Sequence, residues 1–241
     1  MNDDLEQLLR GLRLQKIAEI LDGEVAAAEK NGLSYNELLA RLLRAQWHQR
    51  QEDALAWRIK QAKLPEAWTL ESFPFKKQPG VSQKQIRGLA ELEFIGKAEN
   101  IVFIGPTAVV NSGLATGLLM KALQNGHRAL FVSAQDLFDE MYASLADRSS
   151  RKLLNHLARV AVLCVDELGY LNIRPEQTNI FFKLLEERYR HRPTIITTNL
   201  EYEEWHNFLG NKPLTEALLS RLRHQCHTIR ISGPPLREPQ G

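Results

Sequence analysis

Four short apolar runs separated by amphipathic stretches, with a fifth, mixed run after the last of those stretches, constrain this chain more than any other feature. They are Ile101-Val102-Phe103-Ile104, Ala129-Leu130-Phe131-Val132, Val160-Ala161-Val162-Leu163-Cys164-Val165, Thr194-Ile195-Ile196-Thr197-Thr198 and Cys226-His227-Thr228-Ile229-Arg230-Ile231. Strands that are apolar throughout, rather than alternating, are buried on both faces. Helical spacers between them mean a parallel sheet covered on both sides, the α/β class.

The residues before Asn100 read differently. Leu5, Leu8, Leu9, Leu12, Ile17, Ile20 and Leu21 recur near helical spacing, and Gly23 is placed to stop that helix. Ser34 and Glu37 fit a capping box that opens a second helix, expected to run to Ala62. Pro65, Pro74, Pro79 and Gly80 then break the pattern, so 64–80 reads as a linker, with Phe73 and Phe75 tucked against a neighbouring domain. Ser82 and Gln85 restart a helix. The expected organisation is a helical domain over 1–65, a linker and lead-in helix over 66–95, and an α/β core over 96–241.

Composition narrows the function classes. Lys and Arg total 31 against 29 acids, a formal charge of +2, so any nucleic-acid face is a local patch on a near-neutral body. Two cysteines, Cys164 and Cys226, are too few for a disulfide framework and suggest a reducing cytosol. The acidic, amphipathic start MNDDLEQLLRGLR lacks the order of a secretory signal, and no apolar stretch approaches the roughly 18 residues of a membrane helix. A cytoplasmic protein without a membrane partner is expected.

The first strand runs into Gly105-Pro106-Thr107-Ala108-Val109-Val110-Asn111-Ser112 and then a helix from about Gly113. This is the place and length of a P-loop, G-x-x-x-x-G-K-[ST], whose backbone N–H groups wrap phosphates while its Lys reaches them and its Ser/Thr holds magnesium. Gly105 and Ser112 fit. Val110 stands at the second glycine and Asn111 at the lysine. Alone, the segment also reads as an ordinary strand-to-helix turn.

The third run ends in Asp166-Glu167, the arrangement in which the Asp holds magnesium and the Glu polarises the attacking water. The fourth ends in Asn199, an amide placed to sense a terminal phosphate or merely to form a turn. Arg221 lies near the end of a helix over 214–224, where it suits either an arginine finger or the helix dipole. Arg237 can face a nucleotide. The ordered set is more specific than its parts. His224 and His227 lack partners at metal-ligand spacing, and Trp47, Trp57, Trp68 and Trp205 read as packing residues.

Residues 41–63 carry Arg41, Arg44, Arg50, Arg58, Lys60 and Lys63 against Glu52 and Asp53. A basic helix bearing Trp47 and Gln51 suits a DNA backbone or, equally, a solvated face.

Taken together, these motifs resemble the IstB-like ATP-binding proteins, transposition helpers of bacterial insertion sequences grouped with DnaC-like helicase loaders in the AAA+ class. The resemblance runs from Gln61-Ala62-Lys63-Leu64-Pro65 through Asp166-Glu167-Leu168-Gly169 and Thr197-Thr198-Asn199-Leu200 to Leu219-Ser220-Arg221-Leu222 and Cys226–Gly233. It implies a sheet of order 5-1-4-3-2 and an ATP-bound domain that forms homo-oligomers on DNA and stimulates the transposase of the same element. Ser112 and Asp166 serve Mg, Glu167 activates water, Asn199 senses, Arg221 acts in trans and Arg237 is a second sensor. The cofactor-binding set is Gly105 to Gly113 with Arg237; the DNA-binding set is Arg41, Arg44, Arg50, Arg58 and Lys60. The family loop reads close to G-P-T-G-V-G-K-[ST], so Ala108, Val110 and Asn111 put ATP and Mg binding, and ATPase activity, in question. A helicase loader and a nucleotide-independent scaffold are the alternatives.

Overall fold

A computed structural model describes residues 3–65, 68–78, 80–106, 110–169, 171 and 173–232. The chain divides into two compact units, Met1–Trp57 and Arg58–Gly241. That division falls inside a helix.

The first unit packs α1 (Asp3–Gly11), α2 (Gln15–Asn31) and the first part of α3 (Tyr35–Ala62). Leu9, Ile17 and Leu42 form its small core. The break expected at Gly23 lies instead at Leu12-Arg13-Leu14, with Arg13 at φ 56°, and α2 continues through Gly23. A single interior glycine costs about 1 kcal/mol, less than losing the packing on either side of it. Gly32, at φ 63°, supplies the left-handed cap that ends α2. The N-terminal amides of α2 have no side-chain cap of their own. The buried Gln46 of α3 accepts from Lys16 N–H at 3.0 Å and Ile17 N–H at 3.4 Å. Ser34 and Glu37 form the reciprocal box that starts α3: Ser34 N–H donates to Glu37 at 2.8 Å and Glu37 N–H to Ser34 Oγ at 3.3 Å.

The second unit holds a five-stranded parallel sheet: β1 (Asn100–Ile104), β2 (Ala129–Ser133), β3 (Val162–Leu168), β4 (Thr194–Thr198) and β5 (Cys226–Arg230). Their order is β2-β3-β4-β1-β5, the expected 5-1-4-3-2. Between and around them run α4 (Gln83–Ala90), α5 (Glu93–Lys97), α6 (Val110–Gln124), α7 (Ala134–Ala146), α8 (Ser150–Arg159), α9 (Pro175–Arg188), α10 (Trp205–Leu209) and α11 (Lys212–His224).

Val102, Ile104, Leu163, Val165 and Ile196 face a core shared with α7 to α11, in which Trp205 is fully buried. Alternation along each strand turns the intervening residues toward α6, which lies against β1, β2, β3 and β4. Asn100 ties three elements together at the sheet's lower end. It donates to Leu222 O at 3.0 Å and accepts from Thr194 N–H at 2.9 Å.

The expected linker segment follows Leu64. Where described, it straps across α6: Trp68 and Phe73 lie 3.7 and 3.6 Å from the position a Gly113 Cβ would take, and Leu70 Cδ2 2.7 Å from that of Gly117. Phe73 is buried and Phe75 packs edge-on against it, so both serve this unit. Trp47 and Trp57 are 57% and 52% exposed, against the expectation that all four tryptophans pack.

Candidate functional site

Alternation in β3 and β4 sets Asp166 and Thr197 on the α6 side of the sheet, at its carboxyl end. The start of α6 brings Ser112 to the same point. Ser112 Oγ–H lies 2.9 Å from both Asp166 oxygens, and Thr197 Oγ–H donates to Asp166 Oδ1 at 2.5 Å. Thr197 Oγ1 in turn accepts from Glu167 N–H at 2.9 Å, so one hydroxyl ties both acidic residues to β4. The sequence motif contains Thr197 but gives it no role; a hydroxyl in a buried strand is the available signal, and Thr194 and Thr198 in the same strand carry it too.

Asp166 is 7% exposed, and burial pushes its carboxyl above the usual range; Thr197 and Ser112 pull it back, and the Glu167 charge adds to the rise. Glu167 points the other way. It adopts φ 59°, and the β3–β4 register shifts between Val165 and Leu168. This bulge turns the Glu167 side chain out to solvent beside the buried aspartate.

A carboxylate and a hydroxyl at a helix start form a hard-oxygen donor pair of the kind magnesium takes. Ser112 and Asp166 fit that ion. The phosphate cradle fits less completely. Gly105 is required by close approach rather than by backbone angle: a Cβ there would stand 2.7 Å from the Ile231 carbonyl. Asn111 is buried and its Nδ2–H donates to Gly105 O at 3.2 Å. A side chain that bonds the loop's own carbonyl brings no charge to a phosphate. Thr107, Ala108, Val109, the Val110 side chain and Arg237 lie outside the described residues.

An open pocket of about 750 Å³ adjoins this end of the sheet, lined by Gly105, Pro106, Asn199, Glu201, Arg230 and Ser232 among others. Glu201 and Arg230 were not singled out from the sequence. They meet there in a bidentate pair, Arg230 Nε to Glu201 Oε1 at 3.0 Å and Nη2 to Oε2 at 2.9 Å. Glu201 follows β4 and Arg230 ends β5, strands that flank β1 and lie far apart in sequence, so no local pattern reveals such a pair.

The other expected residues are placed as follows. Asn199 adjoins Gly169, whose absent Cβ would stand 2.8 Å from Asn199 Oδ1. Arg221 folds back onto Ala217 O at 3.0 Å, approaches Glu186 at 3.5 Å and lies over the Phe182 ring. Of the basic set, Arg58 donates to Leu123 O at 3.0 Å, Arg50 to Arg13 O at 3.4 Å, and Arg41 pairs with Glu24 at 3.8 Å. Arg44 and Lys60 are exposed.

A parallel sheet of this order, with Ser112 at the start of the helix after β1 and Asp166-Glu167 ending β3, has the fold of the AAA+ P-loop domains. Residues 7–240 match the family described as IstB-like ATP binding protein, and the chain belongs to it. It is 35% identical over 234 residues to a protein of insertion sequence IS21 from Pseudomonas aeruginosa, named for ATP binding, covering 97% of this chain and 88% of that one. It is 32% identical over 237 residues to the corresponding IS5376 protein of Geobacillus stearothermophilus, covering 98% and 94%. In structure it is similar to the DnaC helicase loader, with a TM-score of 0.58 at 21% identity over 68% of this chain and 96% of that one, a likeness of fold. Among the described residues no helix is long and apolar enough to cross a membrane.

Proposed function

We propose that this chain is a cytoplasmic AAA+ helper of insertion-sequence transposition that binds ATP with magnesium more weakly than an intact P-loop allows, assembles with its own copies on DNA and stimulates the transposase of its element. The supporting observation is the convergence of Ser112, Thr197 and Glu167 N–H around Asp166 at the start of α6. Its relatives are named for insertion sequences and ATP binding.

Ser112 and Asp166 would hold the magnesium, which when bound would neutralise phosphate charge. Thr197 fixes the Asp166 carboxylate. Glu167, set in solvent by the bulge, accepts a proton from water. Asn199 orients that water, and Arg221 serves a neighbouring copy. The helical residues over 1–65 contact DNA or the transposase, the strap over 66–95 follows, and 96–241 bind nucleotide. Val110 and Asn111 reduce affinity because the loop lacks its ammonium.

The test is strand transfer by the transposase of the same element, with and without this protein and Mg-ATP. Stimulation that depends on the protein and on nucleotide is expected. Capture of a replicative helicase without any effect on the transposase would favour a helicase loader and overturn the proposal.

A further inference from the structure

Asn111 is 7% exposed, and its Nδ2–H bond to the Gly105 carbonyl fixes which way the amide faces. Its Oδ1 is shielded from solvent and has no hydrogen-bond partner among the described residues. A buried acceptor left so is costly and calls for a donor. That oxygen lies 3.3 Å from the position a Gly105 Cβ would take, and the Ile231 carbonyl lies 2.7 Å from the same point. The chain leaving β5 therefore passes beside Asn111.

Arg230 is the last residue of β5 and stands in register with Ile104, the residue before Gly105. Among the described residues lining the pocket with Gly105, Pro106 and Asn199, it is the one cation. Its side chain is 61% exposed and held by Glu201 alone of the pocket's acids. A guanidinium fork matches carboxylate and phosphate oxygens alike, so phosphate can replace Glu201 without changing the geometry the arginine needs.

We infer that Arg230 supplies to a bound nucleoside triphosphate the positive charge that Asn111 does not, and that Glu201 holds it aside until phosphate arrives. This rests on the reading of the site as one for nucleotide. The release of Glu201 carries its own cost, because the freed carboxylate repels the incoming phosphates; binding is weak until Glu201 is neutralised.

The test is calorimetric titration of the full chain with Mg-ATP and Mg-ADP, with thermal melting of each variant to check folding. Arg230→Ala should weaken ATP binding about tenfold or more, and Glu201→Gln should tighten it by a similar factor. The Glu201→Gln gain should shrink in the Arg230→Ala background, since it works through the freed arginine. Adding Asn111→Lys should make Arg230→Ala nearly silent. If the wild type binds and Arg230→Ala binds equally well, or if the Glu201→Gln gain persists undiminished without Arg230, the inference is wrong while the nucleotide site stands. If neither the wild type nor Glu201→Gln binds at millimolar nucleotide, the site reading itself falls, and this inference with it.

Discussion

Thr197 Oγ1 accepts from the Glu167 amide at 2.9 Å and donates to the Asp166 carboxylate at 2.5 Å. One β4 hydroxyl thus holds a buried acid in place and anchors the bulge that carries an exposed one. Thr197→Val keeps the shape and removes both bonds. It should destabilise the protein by about 2 kcal/mol, since a buried carboxylate loses a donor and an amide loses its acceptor. Thermal or urea unfolding reads this; a change within about 0.5 kcal/mol would mean that the hydroxyl is not what holds the two acids.

Asp166 gives a pH signature. Burial raises its carboxyl pKa above the unfolded value. Below the unfolded pKa both states are protonated and the group costs nothing. As pH rises through the folded pKa, the buried charge appears and stability falls. Asp166→Asn should therefore raise the melting temperature at neutral pH by a few degrees, about 1 kcal/mol, with the gap closing on acidification toward pH 4. A gap of constant size across that range would assign the gain to something other than charge.

Gly105→Ala places a methyl 2.7 Å from the Ile231 carbonyl, which itself follows the Ile231 N–H bond to Ile104 O. Neither backbone can give way without breaking the β1–β5 edge. A loss of about 1–3 kcal/mol is expected. Unchanged stability would show that the β5 tail lies elsewhere.

The basic residues of α3 should separate by role. Arg58 serves the core through Leu123 O, whereas Arg44 is exposed. Arg44→Ala should weaken DNA binding uniformly across sequences and reduce the salt slope by about one. Arg58→Ala should lower stability more than it alters that slope. Equal slopes for Arg44→Ala and the wild type would return this helix to a solvated face.

Most of the sheet could be read from the sequence because parallel strands buried on both faces leave near-continuous apolar runs; the fifth run, mixed in character, overlaps the edge strand β5, which is only partly buried. The place of Asp166 and Glu167 was readable for the same reason, as polar residues ending a buried strand. What escaped depends on tertiary pairing. The outward turn of Glu167 arises from a register shift against β4, and the Arg230–Glu201 pair joins residues far apart in sequence. Gly23 misled because one glycine does not stop a helix whose flanking faces are packed, and Trp47 and Trp57 because composition does not tell an exposed tryptophan from a buried one.

The most direct measurement is Mg-ATP titration of the wild type beside the variant Val110→Gly with Asn111→Lys. Weak binding by the wild type, tightened at least tenfold in the variant, is expected if an intact magnesium site faces a cradle short of one charge. Equal affinity in the two, or no binding by either at millimolar nucleotide, would contradict it.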